Sequence, residues 1–159
     1  MKRQRTLKLD STREELYRVD RFVEEISDEH MLYGSYFGNI LMAVTEAVQN
    51  AIVHGNKLSQ ERKVLIREEM KQEGLWITVS DEGPGFDFMK YLSKGKSTGF
   101  DSDQTGLFLI QTLCDEVRFI NEGRTIEMLF RINGIDESIF SRRQVFMNDF
   151  FKVYQRLNI

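Results

Sequence analysis

The sequence predicts an α+β fold: a two-layer α/β sandwich in which a mixed or antiparallel sheet carries helices on one face, with an extra helix at the C-terminus. Three observations lead there. Segments with apolar residues at alternate positions come in hairpin pairs, two segments with apolar residues at helical spacing stand apart from them, and a glycine-bearing loop divides the hairpins. A single core is expected, because 159 residues suit one domain.

Arg5 to Asp10 alternates, with Leu7 and Leu9 on one side and polar residues on the other, as a short edge strand does. Ser11, with Glu14 three positions on, reads as a capping box opening a helix that carries Leu16, Val19, Phe22, Val23 and Ile26. A polar turn from Ser27 to Glu29 is expected to follow it. A second helix runs from about Tyr36 to Val53, with Ile40, Leu41, Val44, Val48 and Ile52 on its core face and Gly55 and Asn56 as terminators. Lys63 to Met70 and Leu75 to Ser80 read as strands joined through Gln72, Glu73 and Gly74. From Asp81 to Thr105 periodicity is lost while Gly83, Pro84, Gly85, Gly95 and Gly99 accumulate, the mark of a long loop, and loops of that length are usually functional or disordered. Gly106 is expected to open an apolar helix ending near Asp115. Two strands follow, Val117 to Asn121 and Thr125 to Ile132, turned by Glu122, Gly123 and Arg124.

The sandwich is thus assigned residues 1–135. Residues 136–159 carry Ile139, Phe140, Val145, Phe146, Phe150, Tyr154 and Leu157 in an amphipathic helical pattern, too apolar for a solvated tail, and this extension is expected to pack on the same domain or on a partner.

Composition excludes several classes. No run approaches the roughly 18 apolar residues of a membrane span, and the basic start MKRQRTLKLD has no apolar stretch behind it, so neither a membrane segment nor a secretory signal is expected and the cytoplasm is the natural compartment. A net charge of −3 with both signs interleaved leaves no basic stripe to track a phosphate backbone, which argues against direct nucleic-acid binding. The local basic cluster Lys90, Lys94 and Lys96 lies in the loop, where it can serve phosphates or solvent. Cys114, the only cysteine, sits in the apolar run LFLIQTLCDEV and reads as core packing.

Three motifs carry chemistry. Glu46, Asn50 and His54 are spaced i, i+4, i+8 and form a polar row away from the core stripe; alone, such a row is commonly a solvated surface. Asp81-Glu-Gly-Pro-Gly-Phe-Asp87 places an acid at a strand end before two close glycines, which lets backbone and ligand approach closely; alone, it is an ordinary turn. Thr105-Gly106-Leu107 puts a glycine at the expected helix start, where free N–H groups and the helix dipole favour phosphate. Together and in this order they are far more specific than any one.

Taken together, EAVQNAIVHGN, DEGPGFD and TGLFLI resemble the GHKL ATPases, the Bergerat fold, and with the closing CDEVRF they are similar to the bacterial anti-sigma factor serine kinases. The resemblance covers about residues 5–132. It implies ATP with Mg²⁺ as the ligand: Asn50 as the metal ligand, Glu46 as general base, and Asp81 as acceptor for the adenine amino group beside Gly83 and Gly85. Thr125 would back the adenine site, Gly106 would open the phosphate-facing helix with Thr105 and Leu107 beside it, and the loop from Phe86 to Thr105, with Lys96, would be the lid. The implied function is a serine/threonine kinase that phosphorylates an antagonist protein and sequesters a sigma factor, with a homodimer also open. A non-catalytic, ATP-dependent binding module is the alternative, favoured by Gln104 where the family usually has glycine. A histidine-kinase ATP domain ranks third, since neither His30 nor His54 lies in a dimerisation hairpin; His30 is expected on a surface loop and His54 as a helix-face residue.

Overall fold

The structure, a computed structural model, describes residues 4–32, 34–89, 102–132, 142–143, 145–149 and 152. Five strands, β1 (Gln4–Asp10), β2 (Lys63–Lys71), β3 (Gly74–Ser80), β4 (Glu116–Ile120) and β5 (Thr125–Phe130), form one sheet in the order β1-β2-β3-β5-β4. Every pairing is antiparallel, which settles the mixed-or-antiparallel expectation. Helices α1 (Leu16–His30), α2 (Ser35–Asn50) and α3 (Ser102–Leu113) lie in the second layer, with α2 packed between the other two.

Register explains why one face is covered. Leu7 pairs with Ile66, Ile66 with Val79, Val79 with Ile126 and Ile126 with Phe119, so one side-chain row crosses all five strands on the helix side. Val19, Val23, Ile26, Ile40, Val44 and Val48 close over it and are fully buried. Cys114 lies in this core, where burial pushes its thiol far above the ordinary value, so it is an inert packing group.

Three local expectations are corrected. The Ser11–Glu14 capping box does not form. Thr12 stands at the N-terminus of a 3-10 turn, Arg13–Glu15, ahead of α1 without a side-chain capping bond, and the buried Ser11 hydroxyl instead donates to the Arg62 carbonyl at 2.6 Å. Neither does α1 stop at Ser27: it runs to His30 and ends on Met31 in the left-handed region. Tertiary contacts favour that last turn, since Arg5 on β1 pairs with Glu25 and Glu29, and Ser27 is buried with its carbonyl accepting the Leu32 N–H at 2.8 Å. Consequently His30 is no loop residue; its Nε2 lies 2.9 Å from Oε1 of Glu68, a carboxylate buried on β2.

The boundary set at residue 135 falls outside the described residues. Arg143 and Phe146 beyond it do contact the sandwich: Arg143 pairs with Asp115 at 2.9 Å, and the Phe146 ring lies edge-on to Phe108 of α3 at 5.7 Å. Among the described residues no helix is long and apolar enough to cross a membrane.

Candidate functional site

The three motifs converge on one cavity between α2, α3 and the end of the sheet carrying Asp81. Its volume is about 120 Å³, room for several waters. Ala47 of α2, Ala51 just after it, Val79 of β3, Ile110 of α3 and Ile126 of β5 make an apolar floor, while Asn50, His54, Asp81 and Arg124 supply the polar groups. A mostly apolar hollow with a few convergent polar groups is what a small-molecule site requires.

Helix α2 brings the polar row here and ends in a π turn, Ala51–Gly55, closed by the Asn56 N–H on the Ala51 carbonyl at 2.8 Å. Such turns insert a residue into the helical repeat and recur at functional sites. His54, expected as a helix-face residue, therefore lines the cavity with Asn50.

Glu46 and Asn50 meet at Gly106. A side-chain carbon on Gly106 would lie 2.9 Å from Glu46 Oε2 and 3.5 Å from Asn50 Nδ2, so the bare glycine lets α3 close on both groups. Burial alone raises the Glu46 carboxyl above its ordinary value. Gly106 does not open α3, however; the helix begins at Ser102, so Gly106 lies one turn inside and acts by close approach, with its N–H not among the free ones at the helix start. Thr105 precedes it on the same helix, and Leu107 lines the cavity. Lys96 and most of the expected lid fall outside the described residues.

Asp81 lines the same cavity. Its Oδ1 accepts the Gly83 N–H at 2.8 Å and its own N–H donates to the Arg124 carbonyl at 2.9 Å. Burial raises its carboxyl, opposed by the Gly83 hydrogen bond and by Arg124 and Arg62, which lower it. Gly83 supports from behind and does not itself line the cavity: a side-chain carbon there would fall 1.9 Å from the Gly55 carbonyl oxygen. Gly85 does line it, with φ +83.

Thr125 is misplaced by the resemblance. Strand alternation turns Ile126 inward and Thr125 to the helix-free face, where its hydroxyl lies 3.0 Å from Ser80 Oγ. The position facing the cavity at that strand end is Arg124.

Sequence reasoning also missed Phe119. Its ring lines the cavity with Phe86, edge-on at 5.6 Å, and stacks on Phe88 at 5.0 Å. Its place in the inward row with Ile126 and Val79 was available from alternation once the β4–β5 register was known.

Comparison with known proteins agrees with this geometry. Residues 9–130 match the family model described as histidine kinase-like ATPase domain. The chain is 38% identical over 104 residues to the serine-protein kinase RsbW of Bacillus subtilis (strain 168), covering 60% of this chain and 65% of that one. It is 36% identical over 98 residues to the serine-protein kinase RsbW of Staphylococcus aureus (strain JH9), covering 55% and 60%. The chain thus spans a little under two thirds of the length of these relatives. Among solved structures, the RsbU and RsbW domains of a Mycobacterium tuberculosis protein share the fold, with a TM-score of 0.56 at 21% identity, over 81% of this chain and 32% of that one.

Proposed function

The chain belongs to the histidine kinase-like ATPase domain family, and from that premise we propose that it binds ATP with Mg²⁺ and transfers the γ-phosphoryl group to a serine or threonine of an antagonist protein, as a cytoplasmic regulator that also binds a sigma factor. The observation that carries the catalytic half is the meeting of the Glu46 carboxylate and the Asn50 amide at Gly106, since Asn50 lines the cavity together with Asp81 and Glu46 stands beside that lining.

The residues present fit the ligand. The Gly83 N–H occupies Asp81 Oδ1, which leaves the other carboxylate oxygen to accept from an exocyclic amine. The apolar floor and the Phe86–Phe119 wall suit a flat heterocycle. Among the described residues no three acidic, histidine or cysteine side chains gather into a metal cage. Mg²⁺ needs none, because it keeps waters and phosphate oxygens and takes one or two protein ligands, here the Asn50 amide oxygen. Bound ATP–Mg²⁺ would supply the phosphoryl group and neutralise its charge. Glu46 would take the proton from the attacking hydroxyl, and burial, by raising its pKa, makes it the stronger base. Leu107 and Ile110 give the cavity part of its apolar wall, which would help to keep water from the reacting groups.

The test is incubation with γ-labelled ATP and the candidate antagonist protein, followed by phosphoamino-acid identification, with ATP affinity measured in parallel. Label on serine or threonine is expected. Asp81→Ala should weaken ATP binding by about 1 to 3 kcal/mol, the usual cost of a buried hydrogen bond left unmade. ATP-dependent capture of the partner without any label would replace the kinase with a non-catalytic binding module.

A further inference from the structure

Asn56 does not line the cavity, and its side chain is completely buried. Every hydrogen-bonding group of its amide is used. Nδ2 donates to Ser11 Oγ at 2.8 Å and to the Lys63 carbonyl at 2.9 Å, and Oδ1 accepts the Glu82 N–H at 2.8 Å. One planar group thereby joins the β1–α1 junction, the end of the π turn, the start of β2 and the first peptide after Asp81.

That last bond reaches the site. The Glu82 N–H belongs to the peptide whose carbonyl is Asp81's own, so holding it restrains the backbone rotation that follows the Asp81 Cα, while the Asp81 N–H is held by the Arg124 carbonyl. Clamped on both sides, the carboxylate is carried over Gly55, where a side-chain carbon would stand only 2.4 Å from it. Small backbone rotations there swing the carboxylate, and a hydrogen bond weakens steeply with misalignment.

We propose that Asn56 is the positioning residue for base recognition: through the Glu82 peptide it sets the direction of the Asp81 carboxylate, and so the preference for a base with an amine over one with a carbonyl at that place. This rests on the ATP reading above. The site demands two donors and one acceptor on a short planar group, which asparagine alone supplies at this length; aspartate has the shape but no donor, and would set a carboxylate oxygen against the Lys63 carbonyl.

The experiment compares ATP with inosine triphosphate, which differs at the recognised position by a carbonyl in place of the amine, on wild type, Asn56→Asp and Ser11→Ala. Ser11→Ala leaves Asn56 its bonds to Lys63 and Glu82 and serves if Asn56→Asp does not fold. Melting curves without nucleotide establish which variants are folded. Wild type should prefer ATP; in Asn56→Asp that preference should shrink about ten-fold, the worth of one well-aligned hydrogen bond, with inosine triphosphate affinity retained. In Ser11→Ala it should shrink about two- to three-fold, because one of the three bonds is lost. A purely structural role would lower both affinities in parallel and keep their ratio, and that result in a folded variant overturns the proposal. If wild type itself bound neither nucleotide, the ATP reading would fall first.

Discussion

Gly106→Ala separates what the glycine does for the fold from what it does for chemistry. Within a helix the exchange is favourable by about 0.5 to 1 kcal/mol, because alanine loses less backbone freedom on folding. Against this stand the new methyl's contacts: 2.9 Å to Glu46 Oε2, 3.5 Å to Asn50 Nδ2 and 3.7 Å to Asn50 Oδ1. Only the first is shorter than ordinary van der Waals contact. It involves the far end of a flexible side chain, which yields by swinging away at a cost well below 1 kcal/mol. Stability should therefore hold, or rise by up to about 1 kcal/mol in urea unfolding. The Glu46 carboxylate, though, must give way by about half an ångström to reach ordinary contact, and under the proposed mechanism, where it takes the proton of the attacking hydroxyl, such a displacement is expected to cost up to about 10²-fold in rate. Single-turnover transfer should fall by that factor with ATP affinity within a few-fold. A variant destabilised by more than about 1 kcal/mol, or one transferring at the wild-type rate, would refute the reasoning.

Two further outcomes are expected. Glu46→Gln should slow transfer by about 10² to 10⁴. It should also raise the melting temperature of the nucleotide-free protein by about 1 to 2 °C at pH 7 to 8. The sign follows from burial: the folded state raises the Glu46 pKa, so the side chain's contribution to stability is full below the ordinary value of 4.5 and is lost as pH rises through the folded value. The gain over wild type should vanish below that pH, and equal melting at every pH would contradict it. Arg143→Ala leaves Asp115, itself only 14% exposed and also accepting the Arg131 N–H at 2.7 Å, without its cation. Urea unfolding should show a loss of about 1 to 3 kcal/mol, and unchanged stability would mean that the extension is no part of the domain.

Much of the fold was legible because strands and helices write their buried faces into the chain with periods of 2 and 3.6. Leu7 and Leu9, Val44 and Val48, and the β2–β3 hairpin fell where alternation and helical spacing put them. The ends of elements were less legible. Ser11 is bound by Asn56 and Arg62 from 45 and 51 residues away, and the last turn of α1 is favoured by Arg5; no local pattern reports such partners.

The sequence by itself determined the family and the chemical alphabet of the site: Glu46 and Asn50 one helical turn apart, and Asp81 ahead of its glycines. These are short-range patterns, written by the geometry of one helix and one turn. Tertiary structure decided the rest, because side-chain direction depends on register and on what packs opposite. Pairing of β5 with β3 turned Thr125 away and Arg124 toward the cavity, and pairing of β4 with β5 put Phe119 in its wall. The packing of α3 on α2 made Gly106 a point of close approach one turn inside its helix. Whether a residue faces a ligand, a neighbour or water is a property of contacts between distant segments, and those exist only once the sheet and helices have closed on one another.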